Sequence, residues 1–255
     1  MSDPATQPVR LDIDGLIATL TINRPEARNA MSLEILDGMH SVIDKLAHSE
    51  TTVLVITGTG RAFCAGMDLK AVLIELSGDA SVGKQLLTSL AELTLKIRNL
   101  HQVTVASVNG AAIGGGCGLT CVCDVAISHP DAKLGFPEVD LGICPAVIAP
   151  WVVRKLGPGV ARRALLMGGI MSGQEGHYIG LIDYLAESRE GLNTLTDSVA
   201  KRLANGGPKA LSATKKLLNA IDGSENDKLV RKGAEISATV LATPEAQAAL
   251  KARLK

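Results

Sequence analysis

Asn109-Gly110-Ala111-Ala112-Ile113-Gly114-Gly115-Gly116-Cys117-Gly118 is the stretch on which the reading of this chain turns. It follows Val103 to Val108, a continuous apolar run that reads as a strand buried on both faces, and it leads into Leu119 to Cys123. A glycine-rich turn from strand to helix leaves the first N–H groups of the helix without intrahelical partners, at the positive end of its dipole. Such groups suit an anion or a developing oxyanion. The same glycines equally suit a tight turn and close helix packing, and the triplet is not a dinucleotide fingerprint.

Working outward, a second buried-strand run, Val53 to Ile56, precedes a second segment of the same kind, Gly60-Arg61-Ala62-Phe63-Cys64-Ala65-Gly66-Met67-Asp68-Leu69-Lys70. Two such turns, if they converge, make an oxyanion hole. Upstream, Val9 to Ile13 and Leu16 to Ile22 flank Asp14-Gly15 and predict a hairpin. Ser32 can cap a helix whose apolar face is Ile35, Met39, Val42 and Leu46. Leu69 to Leu100 reads as helical, with a break and a mobile loop expected around Ser77-Gly78-Asp79. Val125 to Ile127 is another short strand, and from Ala146 onward the pattern is helical. Leu192, Leu195, Val199 and Leu203 form one stripe, and Pro208 stands where it opens a helix over Lys209 to Ala220. The order predicts a mixed α/β body over residues 1–200 and a helical region over 201–255, whose apolar stripes dock on the body or on another subunit.

Composition narrows the function. The chain has 255 residues with 26 basic and 26 acidic side chains, and neither sign gathers into a run that would hold a phosphate backbone or an anionic membrane. Aromatic side chains are confined to Phe63, Phe136, Trp151, Tyr178 and Tyr184, too few for a base-stacking platform, so no nucleic-acid partner is expected. No signal peptide or spanning segment is read in the sequence, and a cytoplasmic location is expected. The five cysteines are an odd number, and Cys121-Val-Cys123 lacks zinc-ligand spacing, so neither a disulfide framework nor a metal site is expected. None of the five histidines belongs to a nucleophile elbow.

Asn23-Arg24-Pro25-Glu26-Ala27-Arg28-Asn29-Ala30, Phe63 to Asp68 and Asn109 to Gly116, in this order and spacing, resemble the crotonase (enoyl-CoA hydratase/isomerase) superfamily. Asp124, Phe136-Pro137-Glu138, Gly142 and Pro145 continue the likeness. The resemblance implies a spiral of ββα turns, a C-terminal helical trimerisation part, and trimers or hexamers made of two trimers. It implies an acyl-CoA thioester as substrate, CoA being part of that substrate rather than a cofactor. By similarity, Met67 and Gly115 donate their N–H groups to the thioester oxygen, and Glu138 moves protons. Ala65, Met67, Asp68, Leu69 and Lys70 line the CoA path, with Ala27 and Arg28 near its nucleotide end; Asp68 is expected to fix its loop. The chemistry needs no metal or redox group, because proton transfer at C2 places charge on an oxygen that two aligned donors stabilise. Beside Phe136 and Pro137, in a dry pocket, the Glu138 pKa should rise.

The sequence departs from the pattern at Gly118, where hydratases of the superfamily carry a second glutamate. Dienoyl isomerases place an aspartate there and another at the position of Ala146, so that reaction is disfavoured. Simple enoyl isomerases work with one glutamate. Addition of water and a Δ3-to-Δ2 double-bond shift by Glu138 alone therefore both stand, beside a non-catalytic acyl-CoA-binding module. The run Gly142 to Pro150 resembles methylglutaconyl-type hydratases, and Gly118 is expected to leave room for a branched acyl group.

Overall fold

The computed structural model describes residues 7–69, 81–225 and 228–253. Lys70 and the break expected at Ser77-Gly78-Asp79 lie outside the described residues. Strands β1 (Val9–Asp14) and β2 (Ile17–Ile22) form the expected antiparallel hairpin. Its link is Gly15-Leu16, with Gly15 at a φ of 56°. Helix α1 (Leu33–Leu46) is capped by Ser32, whose side chain accepts the Ile35 N–H, and it buries Ile35, Met39, Val42 and Leu46.

From here the chain repeats one pattern. Strand β3 (Val53–Gly58) is followed by β4 (Ala62–Cys64), β5 (Val103–Ser107) by β6 (Ala111–Ile113), and β7 (Val125–Ser128) by β8 (Lys133–Gly135). The first strand of each pair enters a six-stranded sheet and the second a four-stranded sheet. With β9 (Ile170–Ser172) and β10 (Tyr184–Leu185), the sheet orders are β1-β2-β3-β5-β7-β10 and β4-β6-β8-β9. Pairing is parallel except for β1 with β2 and β8 with β9. The result is the expected spiral of ββα turns. Helix α2 (Ser81–Asn99) closes one turn and α3 (Gly115–Val122) the next.

Helix α4 (Ala149–Met167) bends at Gly157, whose φ of 73° and ψ of 161° precede Pro158. Then come α5 (Gly173–Tyr178), α6 (Leu192–Ala204), α7 (Pro208–Ile221), α8 (Lys228–Leu241) and α9 (Pro244–Arg253). Helix α6 crosses residue 200 and lays Leu192 and Ala200 on Val53, Val55, Val105 and Ile127 of the large sheet. Helices α8 and α9 bury Val230, Ala234, Leu241, Ala246 and Leu250 in the main core of their own chain.

Helix α7 is held differently, because its inward residues are polar. Lys215 is buried; its Nζ lies 2.8 Å from Asp124 Oδ2 and donates to the Gln102 carbonyl at 2.8 Å. Asp124 Oδ2 also accepts the Thr104 N–H and hydroxyl at 2.8 and 2.9 Å, while Arg98 reaches Asp124 Oδ1 at 3.3 Å and Asp222 Oδ2 at 2.6 Å. Burial lowers the Lys215 pKa, and Asp124 opposes the shift. Removing one member of a buried pair leaves an uncompensated charge, an effect of about 3–5 kcal/mol. Asp124→Ala should therefore lower unfolding free energy by about 3 kcal/mol in urea titrations. The double variant Asp124→Ala/Lys215→Met should recover much of that loss.

Candidate active site

Three successive turns of the spiral each bring one residue to the same rim. Met67 lies just beyond β4, Gly115 just beyond β6 and Glu138 just beyond β8, and these three are adjacent parallel strands. Their carboxyl ends face one crevice, the usual place for a ligand in an open parallel sheet.

Two of the residues contribute backbone. Met31 forms a parallel bridge with Met67: the Met31 N–H donates to the Gly66 carbonyl at 2.7 Å and the Asp68 N–H donates to the Met31 carbonyl at 3.0 Å. In that pattern the N–H of Met67 itself points away from Met31. Gly115 opens α3, so its N–H has no intrahelical acceptor. Among the described residues neither N–H has a hydrogen-bond partner. The two turns touch at Gly66, which has a φ of 87°. A Cβ there would lie 2.7 Å from the Ile113 carbonyl oxygen and 3.5 Å from the Gly115 nitrogen, so only glycine permits this approach.

The crevice opens into a cavity of about 80 Å³. Its walls are apolar: Met67, Leu69, Leu87, Leu90, Ile113, Leu141, Ile143, Val147 and Ile148 line it, with Ala65, Gly114 and Gly115. Among the described lining residues Glu138 is the one carboxylate. Its Oε2 is buried with no hydrogen-bond partner, and Oε1 would lie 2.7 Å from a Cβ on Gly114. Burial pushes the Glu138 pKa up to about 7, although its own backbone N–H pulls the other way. Phe136, fully buried two residues earlier, anchors the segment. Asp140 points elsewhere, accepting the Gly169 N–H at 2.8 Å.

The remaining expected residues divide. Ala65 and Leu69 line the cavity, whereas Ala27, Arg28 and Asp68 do not. Asp68 accepts an ion pair from Arg24 at 2.7 Å, the loop-fixing role expected of it. Arg28 is exposed and contributes its carbonyl, which accepts the Ala65 N–H at 3.1 Å. Cys64 and Cys117 are buried and their thiols are pushed up, Cys64 to about 12, which fits packing rather than nucleophilic chemistry.

Gly118 does not leave the room expected of it. A Cβ there would lie 2.3 Å from Ile148 Cγ2 and 2.9 Å from Ile148 Cβ, so Ile148 already fills the space in front of this glycine. Two further residues were not singled out from the sequence. Buried Asn29 ties its segment to the β3–β4 turn, accepting the Arg24 N–H at 2.8 Å and donating to the Thr59 and Ala62 carbonyls at 3.0 and 2.8 Å. Ser237 of α8 donates to the Cys144 carbonyl at 2.8 Å and accepts the Ala146 N–H at 3.1 Å, pinning the far wall.

The model of one protein family, described as enoyl-CoA hydratase/isomerase, matches residues 12–252. The chain belongs to the enoyl-CoA hydratase/isomerase family. It is 33% identical to the crotonyl-CoA hydratase of Syntrophomonas wolfei, over 88% of this chain and 85% of that one. It is 30% identical to the 2,3-dehydroadipyl-CoA hydratase of Escherichia coli, over 79% of this chain and 78% of that one. The enoyl-CoA hydratase structure from Bacillus halodurans superposes with a TM-score of 0.89 at 24% identity, covering 96% of this chain and 99% of the other, and shares the fold. Among the described residues no helix is long and apolar enough to cross a membrane.

For this family member, the buried carboxylate makes stability depend on pH. A folded-state pKa raised to about 7 from 4.5 means that the native state holds a proton which the unfolded chain releases. That contribution is complete below about pH 4.5 and is lost as pH rises through about 7. Glu138→Gln should therefore gain stability relative to the parent between pH 4.5 and 8, by up to about 3 kcal/mol, in denaturant titrations at both ends of the window.

Proposed function

We propose that the protein catalyses proton transfer on an enoyl-CoA thioester, with the Met67 and Gly115 N–H groups on the thioester oxygen and Glu138 as the sole proton carrier. The observation that carries this reading is the Glu138 carboxyl, whose buried Oε2 has no hydrogen-bond partner, in the same apolar cavity as two N–H donors without partners among the described residues. A carboxyl with a pKa near 7 exists in both protonation states at neutral pH, which suits a group that must take a proton and return it. With one carboxylate among the described lining residues, the reaction supported best is a double-bond shift. C2 of a 3-enoyl thioester loses a proton to Glu138, charge spreads onto the thioester oxygen, and the protonated Glu138 returns the proton to C4. The product is the conjugated 2-enoyl thioester, and no water is consumed.

Hydration is the second reading, supported by relatives named crotonyl-CoA and 2,3-dehydroadipyl-CoA hydratase. Ultraviolet absorbance separates the two, because the shift creates the conjugated thioester chromophore and hydration destroys it. A small branched acyl group is proposed from the likeness of residues 142–150 to methylglutaconyl-type hydratases, and Ala27, Arg28, Ala65 and Met67 to Lys70 are proposed to carry the CoA moiety by family likeness.

Glu138→Gln keeps size and shape but cannot carry the proton. Turnover should fall by about two to four powers of ten with acyl-CoA affinity nearly unchanged. Gly115→Pro deletes one donor and should reduce turnover at least about a hundredfold. Undiminished turnover in either folded variant would overturn the assignment.

Assembly as a trimer or a pair of trimers belongs to the same proposal. Helix α7 turns Lys215 and Asn219 inward and leaves Leu217, Leu218 and Ile221 exposed, an apolar face that a second subunit can cover. Light scattering should give three or six times 26.5 kDa. A monomer at micromolar concentration would remove the assembly.

A further inference from the structure

We infer that Ile148 is the residue that selects the reaction, acting as an apolar plug in the place from which a second carboxylate would deliver water. The inference rests on the proposed Glu138 chemistry and names what restricts it. Gly118 lies one turn beyond Gly115 on α3, and its N–H donates to the Gly114 carbonyl at 2.9 Å. A side chain at 118 would lean back toward the helix N-terminus, over the turn that carries the Gly115 donor and faces Glu138. Ile148 stands in that path, with its Cγ2 2.3 Å from where a Cβ of residue 118 would sit. It is 2% exposed overall and lines the cavity.

The plug is held from behind. Gly233 of α8 lies against residue 146, where an added Cβ would come 2.2 Å from the Ala146 carbonyl oxygen. One helical turn on, Ser237 binds the Cys144 carbonyl and the Ala146 N–H. The segment leading to Ile148 is thus clamped by a helix that is itself embedded in the core. A branched, fully packed side chain held this way has little freedom to swing aside. The site therefore keeps water and a second acid from the C3 side of the acyl group, and proton return to C4 is the outcome left to Glu138.

Glycine at 118 and isoleucine at 148 are consequently a reciprocal pair. Gly118→Glu alone should meet Ile148 and lose acyl-CoA binding. The exchange Gly118→Glu/Ile148→Gly should admit the carboxylate, and Ile148→Ala should admit water alone. The readout is the ratio of 3-hydroxyacyl-CoA formed from a 2-enoyl-CoA to 2-enoyl-CoA formed from a 3-enoyl-CoA, measured by chromatography. That ratio should rise about a hundredfold or more in the double variant, the lower end for general acid–base assistance, and by a smaller factor in Ile148→Ala. A loss of packing alone would depress both products and leave the ratio fixed. Exchange of the C2 proton of a bound acyl-CoA in D2O, followed by NMR, reports the underlying Glu138 chemistry separately. Parent protein that exchanges C2 protons, with an unchanged ratio in the folded double variant, would overturn the plug and leave the Glu138 reading standing. Should the double variant not fold, an unchanged ratio in Ile148→Ala would overturn it equally. Absence of exchange in the parent would overturn both.

Discussion

Everything in this structure depends on keeping two backbone N–H groups, Met67 and Gly115, unpaired at the edge of an apolar cavity. A buried donor without an acceptor costs about 1–3 kcal/mol, so such groups persist only where the surrounding fold leaves the chain no alternative. The spiral supplies that constraint. Residues 28–31 hold the first turn by backbone hydrogen bonds to residues 65, 66 and 68, while Asn29 and the Arg24–Asp68 ion pair lock the same segment from either side. The start of α3 fixes the second turn, and Gly66 lets the two meet. The fold thus holds both donors in place without a ligand, so the oxyanion of the proposed reaction would require no reorganisation there.

The cavity that makes those N–H groups effective also sets the state of Glu138. Low polarity strengthens a hydrogen bond to a developing anion and disfavours an ionised carboxyl. In the proposed reaction one environment therefore serves both halves of the chemistry: strong donors for the oxygen and a carboxyl whose pKa is raised to about 7 to carry the proton. The third turn, beyond β8, delivers Glu138 by the same logic that delivers Met67 and Gly115, and the repeating ββα pattern is what superimposes the three.

Those parts of the site that arise from local strand–turn–helix grammar were legible in the sequence. The glycine-bearing segment at 109–118 announced the helix start at Gly115, whereas the Met67 N–H is set by the bridge to Met31, and the pairing of Phe136 and Pro137 with Glu138 announced a carboxyl in apolar company. The small sheet was not legible: β4, β6, β8 and β9 are three residues long, too short to show an alternating pattern. Nor could periodicity reveal that α7 buries Lys215, since its partner Asp124 lies far off in sequence. The contact between Gly118 and Ile148, and the clamp of Ser237 on residues 144 and 146, likewise arise only when distant segments meet. Glycine at 118 read alone signified space; the fold shows that space filled.

The central claim is that the Met67 and Gly115 N–H groups converge on a thioester carbonyl, and vibrational spectroscopy addresses it without turnover. An acyl-CoA labelled with 13C at the thioester carbonyl should show that stretch at lower wavenumber when bound than when free, because two hydrogen bonds draw charge onto the oxygen. Gly115→Pro should return much of the shift while the ligand remains bound. A carbonyl band in the bound complex at its free-solution position would contradict the account.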